Sequence, residues 1–517
     1  MAEKQLAVRM RGITKEFAGK VVANKNVDLD IYRGEVLALL GENGSGKTTL
    51  MNMLAGIYYP DSGTIEIDGK QVDISSPKVA FDHGIGMVHQ HFKLVNVFTA
   101  VENIVLGLEE EGKLDLQASA ERIRKICDTY GFDVDPYQKV YDMSVSQKQT
   151  VEIVKLLYRG ADILILDEPT AVLTPQETDK LFAVLRAMRD DGKAVVIITH
   201  KLAEVQSLSD RVVVLRKGRN VGELLTSEST AQEMTDMMVG HQVSLNLERP
   251  PVESEYRMER IRVKNLTVRN REGVTKLDDV SFTAYTGEIL GIAGISGCGQ
   301  KELLEAIAGL QPVNSGSIEY VVDDSGEQEQ IEQLIGMDPV KIAQMGVVLS
   351  FVPEDRLGMG LVADMDLTDN MMLRSFRNGR SLFTDRKEPR HLAEVVVDEL
   401  SVDTPSISTS VRMLSGGNVQ KVLVGREIAA APTVLLSAYA VRGLDVNSSY
   451  LIYDLLNRQK GNGVCVIYVG EDLDVLLEMC DRILVLCDGK VSGIVDGRTT
   501  NKNEVGLMMT KLGGGEA

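Results

Sequence analysis

Apolar residues in this chain gather into short runs that end on glycine or on polar groups: VLALL runs into Gly41, ILIL into Asp167 and Glu168, and VVIIT into His200. Runs of this length read as strands, and the stretches between them carry helical spacing. Strand and helix therefore alternate, which predicts an α/β fold with a largely parallel sheet.

The pattern occurs twice. GEVLALLGENGSGKTTLMNMLAGIYYPDSGTIEI, from Gly34, is echoed by GEILGIAGISGCGQKELLEAIAGLQPVNSGSIEY, from Gly287, and SDRVVVLRKGRNVGE, from Ser209, by CDRILVLCDGKVSGI, from Cys480. Each glycine-rich copy reads as a strand, a loop and then a helix stopped by glycine. Gly41 is matched by Gly294 and Asp210 by Asp481, so the second copy gains 18 residues between these points. Part of the gain is the acidic, polar stretch from Asp323 to Gln333, which reads as a surface insertion. Between the copies, Pro250 and Pro251 interrupt a charged segment and mark a linker. These breaks predict one domain over residues 1–245, a linker over 246–256, a second domain over 257–512 and a flexible tail over 513–517.

Composition narrows the function. A chain of 517 residues, 44% hydrophobic and 25% charged, can bury two sizeable cores. Its net charge of −19 opposes a role in gripping nucleic-acid phosphates. No run reaches the roughly 18 apolar residues that span a bilayer, and the opening Met-Ala-Glu-Lys lacks the apolar core of a secretion signal. The chain is expected to stay in the cytoplasm. Five cysteines without a CxxC pair read as reduced thiols rather than zinc ligands or disulfides.

GENGSGKT, from Gly41 to Thr48, fits the phosphate-loop pattern GxxxxGK[ST]. Gly41, Gly44 and Gly46 let backbone amides curl around phosphates, with Asn43, Ser45 and Thr49 completing the cradle. Lys47 is placed to reach the β- and γ-phosphates, and the Thr48 hydroxyl to bind Mg²⁺. Asp167 and Glu168 put two carboxylates at a buried strand end, which is costly without a cation nearby. Mg²⁺ is the natural partner: Asp167 would hold the metal and Glu168 polarise the attacking water as general base. His200 is placed to hydrogen-bond a γ-phosphate oxygen, and Phe17 to stack on adenine. Taken alone, His200 and Gln90 read equally as ordinary polar residues of a strand end and a loop, and Phe17 as core.

Together these motifs resemble the ATP-binding-cassette family, and the resemblance covers nearly the whole chain twice. It implies ATP and Mg²⁺ as cofactors and two tandem ATPase domains, each a RecA-like core with a β-subdomain and a helical subdomain. It implies catalytic roles for Lys47, Gln90, Glu168 and His200, and metal contacts from Thr48, Gln90 and Asp167. In the family's head-to-tail assembly each ATP lies between the phosphate loop of one domain and a signature segment, LSGGQ, of the other. Signature residues at a helix N-terminus suit a γ-phosphate.

The first half meets this signature only in part, as Met143-Ser144-Val145-Ser146-Gln147, with the Ser146 side chain where backbone must approach phosphate. The second half carries Leu414-Ser415-Gly416-Gly417-Asn418, a closer match. Its phosphate loop, GISGCGQK, keeps Gly294, Gly297 and Gly299 but has Gln300 at the position of Lys47 and Lys301 at that of Thr48. Ala438 and Tyr439 fall opposite Asp167 and Glu168, Glu471 opposite His200, and Glu354 opposite Gln90. By the resemblance, the Lys47 loop joins Ser415, Gly416, Gly417, Asn418 and the facing Asp445 in a complete site. The Gln300 loop joins Ser144, Ser146, Gln147 and Thr174 in a degenerate one. Only the complete site is expected to hydrolyse ATP.

Fused domains without membrane segments, Gln300, and VPEDR at residues 352–356 are similar to importers of monosaccharides and nucleosides. MVHQHF, EIVKLLYRGADILILDEPTAVLTPQE and LSGGN look most like the nucleoside branch, whose receptor is a lipoprotein. Monosaccharide and riboflavin importers stay open, with a tandem ATPase acting on the ribosome or nucleic acid as a remote alternative. The resemblance implies a place at the cytoplasmic face of the cell membrane on two integral-membrane permease subunits. Through them it implies an extracytoplasmic lipoprotein or periplasmic substrate-binding protein as partner, and no nucleic acid.

Overall fold

The computed structural model describes the chain except residues 1–4, 18–20, 90–91, 109–114, 171–172, 241–248, 251–256, 271–272, 296, 324–329, 345–348, 354, 377–383, 471 and 512–517. Two compact units divide it, Met1–Ser244 and Leu245–Ala517.

The first unit contains β1 (Leu6–Phe17), β2 (Val21–Tyr32), β3 (Val36–Leu40), β4 (Ser62–Ile67), β5 (Lys70–Val72), β6 (Ile85–Val88), β7 (Ile163–Asp167), β8 (Ala194–Thr199), β9 (Arg211–Arg216) and β10 (Arg219–Leu225). The second repeats the series as β11 (Glu259–Arg269), β12 (Thr275–Tyr285), β13 (Ile289–Gly294), β14 (Ser315–Asp323), β15 (Gln330–Gln333), β16 (Leu349–Val352), β17 (Val434–Ala438), β18 (Cys465–Val469), β19 (Arg482–Cys487) and β20 (Lys490–Asp496). Each unit has a four-stranded antiparallel sheet, β2-β1-β4-β5 or β12-β11-β14-β15. Each also has a six-stranded sheet, β10-β9-β3-β8-β7-β6 or its counterpart β20-β19-β13-β18-β17-β16, parallel except for the antiparallel edge strand β10 or β20.

The unbroken apolar runs have a simple cause: β3, β7 and β8 are buried along their whole lengths, because a parallel sheet is covered on both faces. Strand β3 lies between β8 and β9, so the chain leaves it at a switch in strand order, where open α/β sheets present a crevice at their carboxyl ends. A helical region with its own core, including Ala100, Ile104, Ile123, Val151, Val154 and Tyr158, is inserted between β6 and β7. Each unit is thus an α/β core carrying a β-subdomain and a helical subdomain.

Buried charge ties β3 and β13 to their neighbours in the same way. Arg211 pairs with buried Glu35 at 2.7 Å, and Arg482 pairs with buried Glu288 at 3.2 Å. Asp210 accepts the Val36 amide at 2.8 Å, and Asp481 accepts the Ile289 amide at 2.9 Å.

Two segments differ from the sequence reading. Of the Asp323–Gln333 insertion, residues 324–329 lie outside the described residues, but Gln330–Gln333 is β15, paired antiparallel with β14. It is a short, mostly exposed edge strand whose one apolar side chain, Ile331, makes no alternation to announce it. Within the segment read as a linker, Arg249 donates to the carbonyls of Leu477, Cys480 and Gly497, and Lys460 donates to the Pro250 carbonyl at 2.7 Å. That part of the linker is bound into the second unit. The tail at 513–517 lies outside the described residues.

Candidate functional site

Strand β3 ends at Leu40 and the glycine loop turns directly into the helix Lys47–Leu54. Gly46 begins that helix at φ +97°, and a Cβ there would sit 2.3 Å from the Ala23 carbonyl oxygen, so only glycine fits. Lys47, 6% exposed, folds back to donate to the carbonyls of Gly41 at 2.7 Å and Glu42 at 2.9 Å. The Thr48 hydroxyl donates to both carboxylate oxygens of Asp167, at 3.1 and 3.3 Å. Asp167 closes β7, and Glu168 follows at φ +46° with its amide donating to the Ile198 carbonyl of β8 at 2.9 Å. Immediately after β8, His200 places Nδ1 2.9 Å from a Glu168 carboxylate oxygen. The fold therefore gathers Lys47, Thr48, Asp167, Glu168 and His200 at the carboxyl end of one sheet.

Electrostatics bind these groups to one another. Burial pushes the Lys47 ammonium pKa down, opposed by the charges of Glu168 and Asp167. Burial pushes the Asp167 carboxyl up, opposed by the Thr48 hydrogen bond. Glu168 is held below the ordinary range, first by its hydrogen bond to His200, so it is ionised at neutral pH. Thr48 and Asp167 are hard oxygen donors of the kind that suits Mg²⁺. They are only two ligands, and among the described residues no cluster of three or more His, Cys, Asp or Glu could hold a metal. A cation here needs further oxygens from a phosphate or water.

Asn43 and Gly44 are exposed on the loop, Thr49 is half-buried, and Ser45 is buried with its hydroxyl lacking a hydrogen-bond partner among the described residues. Phe17 ends β1 half-buried, its ring edge-on to Tyr58 with centroids 5.2 Å apart and Lys15 Nζ 5.7 Å from its centre. Gln90, Glu354 and Glu471 lie outside the described residues.

Three further residues brace the site and were not singled out from the sequence. Gln149 donates to the Pro169 carbonyl at 2.6 Å, tying the helix Val145–Tyr158 to the turn after Glu168. From that same helix, Glu152 accepts the Lys93 amide at 2.6 Å. Glu204 accepts the hydroxyls of Thr170 and Thr199, joining the turn to the end of β8. The available signal was a polar residue in the buried phase of an amphipathic helix, as Gln149 and Glu152 are.

The second unit keeps the backbone and changes the chemistry. Gln300, 2% exposed, donates from Nε2 to the Ile295 carbonyl at 3.1 Å, as Lys47 does to Glu42. Lys301 is 48% exposed and only 3.8 Å from Glu305. Ala438 closes β17, and Tyr439 follows at φ +50° with its amide donating to the Val469 carbonyl at 2.9 Å. Neither a hydroxyl nor a carboxylate replaces Thr48 and Asp167, so this donor set does not fit Mg²⁺.

Both signature segments form helix N-termini. Ser144 and Gln147 cap each other at the start of Val145–Tyr158, and the Ser415 hydroxyl accepts from the Asn418 amide at 3.4 Å at the start of Gly416–Ala429. Thr174 and Asp445 likewise cap Pro175–Asp190 and Val446–Gly461. A Cβ on Gly417 would lie 3.1 Å from the Ser448 hydroxyl and 3.3 Å from an Asp445 oxygen. Glycine there lets the signature turn lie close against the Asp445 cap, whereas its first-half counterpart, Ser146, carries a side chain.

Comparisons with known proteins bear on the fold and the family. The ABC transporter family model matches residues 24–171 and again 277–437. The nucleoside import ATP-binding protein NupA of Lactococcus lactis subsp. cremoris is 40% identical over 510 residues, covering 98% of this chain and 98% of that protein. The guanosine import ATP-binding protein NupO of Bacillus subtilis is also 40% identical over 510 residues, covering 98% and 97%. The glucose import ATP-binding protein TsgD13 of Haloferax volcanii is 39% identical over 545 residues, covering 99% and 96%. Among the described residues, no helix is long and apolar enough to cross a membrane.

Proposed function

Because this chain belongs to the ABC transporter family in both its halves, we propose that it is the ATP-hydrolysing subunit of an importer, and that it turns over ATP only at the Lys47 loop. The observation that carries this reading is the gathering of Lys47, Thr48, Asp167, Glu168 and His200 in one unit, against Gln300, Lys301, Ala438 and Tyr439 in the other.

In this reading the loop amides and Lys47 hold the ATP phosphates, and Glu168 takes a proton from the attacking water. His200 fixes the orientation of Glu168 and keeps it ionised. Thr48 and Asp167, with Gln90, would hold Mg²⁺, which would supply positive charge to the ATP phosphates. Phe17 supports the base. The helix tip at Ser415, Gly416, Gly417 and Asn418, together with Asp445, serves as a signature face for phosphate. Domains at 1–245 and 257–512 serve as the two lobes.

Nucleosides are the solute we favour, on the likeness to NupA and NupO along nearly the whole chain. Likeness to a glucose import protein keeps a monosaccharide as the second reading. The partners are two permease subunits and, through them, an extracytoplasmic substrate-binding protein, with this chain at the cytoplasmic face of the membrane.

Glu168→Gln tests the chemistry: steady-state turnover falls at least ~100-fold while equilibrium ATP binding persists, the usual scale for losing a catalytic group. A loss under tenfold removes Glu168 as the base. Turnover of the chain reconstituted with its permeases and receptor, stimulated by nucleosides and not by glucose, tests the solute.

A further inference from the structure

We propose that the second phosphate loop binds a nucleoside di- or triphosphate without a divalent cation, the Lys301 ammonium supplying the positive charge that the metal supplies in the first. The proposal rests on reading Gly294–Lys301 as a nucleotide loop.

The described residues of the cradle, all but Ser296, keep the shape of the first. Gly297 and Gly299 take φ of +90° and +98°, beside +79° and +97° at Gly44 and Gly46. A Cβ on Gly299 would lie 2.5 Å from the Lys276 carbonyl oxygen, so the loop passes as close to its neighbouring strand as the first loop does. The helix Gln300–Ile307 starts from Gly299 in the same left-handed geometry as Lys47–Leu54 does from Gly46. Buried Gln300 holds the loop through Ile295, reproducing one of the two hydrogen bonds of Lys47 without its charge. Backbone amides at such a turn attract phosphate whatever the side chains are.

What has changed is the pair of described positions that would hold the metal; at the third, Glu354 stands opposite Gln90 and lies outside the described residues. The hydroxyl of Thr48 is replaced by the long cationic side chain of Lys301, and the carboxylate of Asp167 by the methyl of Ala438, itself 1% exposed. A dication entering here would find no protein oxygen at either position and a like charge at one of them. Phosphate would find the reverse. Lys301 meets Glu305 only at 3.8 Å and is half exposed, so its ammonium can swing onto a phosphate oxygen at little cost. With Tyr439 where Glu168 stands in the first unit, no carboxylate follows the strand end at the position of the first unit's base, and the bound nucleotide is retained rather than cleaved.

The test is equilibrium binding of a fluorescent ATP analogue to the full chain, in Mg²⁺ and in excess EDTA. Two sites per chain are expected in Mg²⁺ and one in EDTA. Lys301→Ala weakens the EDTA-resistant site at least tenfold, Lys301→Arg keeps it within about threefold, and Lys47→Ala leaves it in place. Mn²⁺ counted by electron paramagnetic resonance with saturating nucleotide gives one tight ion per chain. Two tight Mn²⁺ ions, or a second site that vanishes in EDTA, overturns the metal-free inference and leaves the loop reading standing. A single site even in Mg²⁺, abolished by Lys47→Ala, overturns the loop reading itself.

Discussion

In the first half the strand ending at Asp167 turns through Glu168 at φ +46°, and in the second the strand ending at Ala438 turns through Tyr439 at φ +50°. Each turn is closed by its amide on the neighbouring strand, at Ile198 and at Val469. A left-handed residue with a long side chain costs about 1–3 kcal/mol and survives only where its surroundings over-determine it. Here the surroundings impose it with a carboxylate or a phenol alike, so the turn belongs to the sheet and any chemistry is grafted on by side chains. Other shared features agree. Asn103 holds both backbone groups of Val95, and Asn370 holds both of Val362. The Glu35–Arg211 and Glu288–Arg482 pairs occupy equivalent places. The halves diverge in the groups that would meet phosphate, metal and water, and in the braces behind them: Leu423 replaces Glu152, and Gln420, the counterpart of Gln149, is buried with no hydrogen-bond partner among the described residues.

This comparison can be broken most forcefully by rates. Glu168→Gln removes at least ~100-fold of turnover, whereas Tyr439→Phe changes it less than about twofold; similar losses from both would end the asymmetry. Next in size are the shared buried pairs. Glu288→Ala destabilises the second unit by about 3–5 kcal/mol, because Arg482 and Arg257 lose the buried carboxylate they share; Glu35→Ala costs the first unit less, about 2–3 kcal/mol, because Arg211 keeps Glu223 at 2.8 Å, and denaturant unfolding resolves the two units. A large loss in one unit alone would mean that the skeleton is not shared.

A sharper contrast of smaller size comes from the paired glutamines. Gln149→Leu strands the Pro169 carbonyl and costs the first unit about 1–3 kcal/mol, whereas Gln420→Leu removes an unsatisfied group and leaves the second unit unchanged or more stable by about 1 kcal/mol. Thermal unfolding reads the sign of each. Smallest are the caps: Thr174→Ala and Asp445→Ala each cost about 1 kcal/mol, read as a fall in the unfolding midpoint of the unit that carries each. Clearly unequal costs would mean that the two caps are not equivalent.

Much of the site was legible before any coordinates. Gly41–Thr48, Asp167–Glu168 and His200 each follow an apolar run, and parallel strands deliver their carboxyl ends to one edge. Glycine spacing, strand ends and the doubled pattern are local features that a linear reading can see, and so are the losses at Gln300 and Ala438. Less was legible where a contact joins distant segments. That Gln149 and Glu152 are buried could be inferred from helix phase, but their partners, Pro169 and Lys93, could not.

The chain by itself determined the two α/β units, the glycine-rich loops and which half carries Lys47, Asp167, Glu168 and His200, because these depend on residue type at short, fixed spacing. Tertiary structure alone decided that Lys47 folds back on its own loop, that Arg249 is seated on the second unit, that Gln330–Gln333 is an edge strand, and that Gln420 loses the partner Gln149 keeps. Those outcomes turn on which backbone carbonyl lies within hydrogen-bond reach once the sheet has assembled, and residue type does not encode that distance.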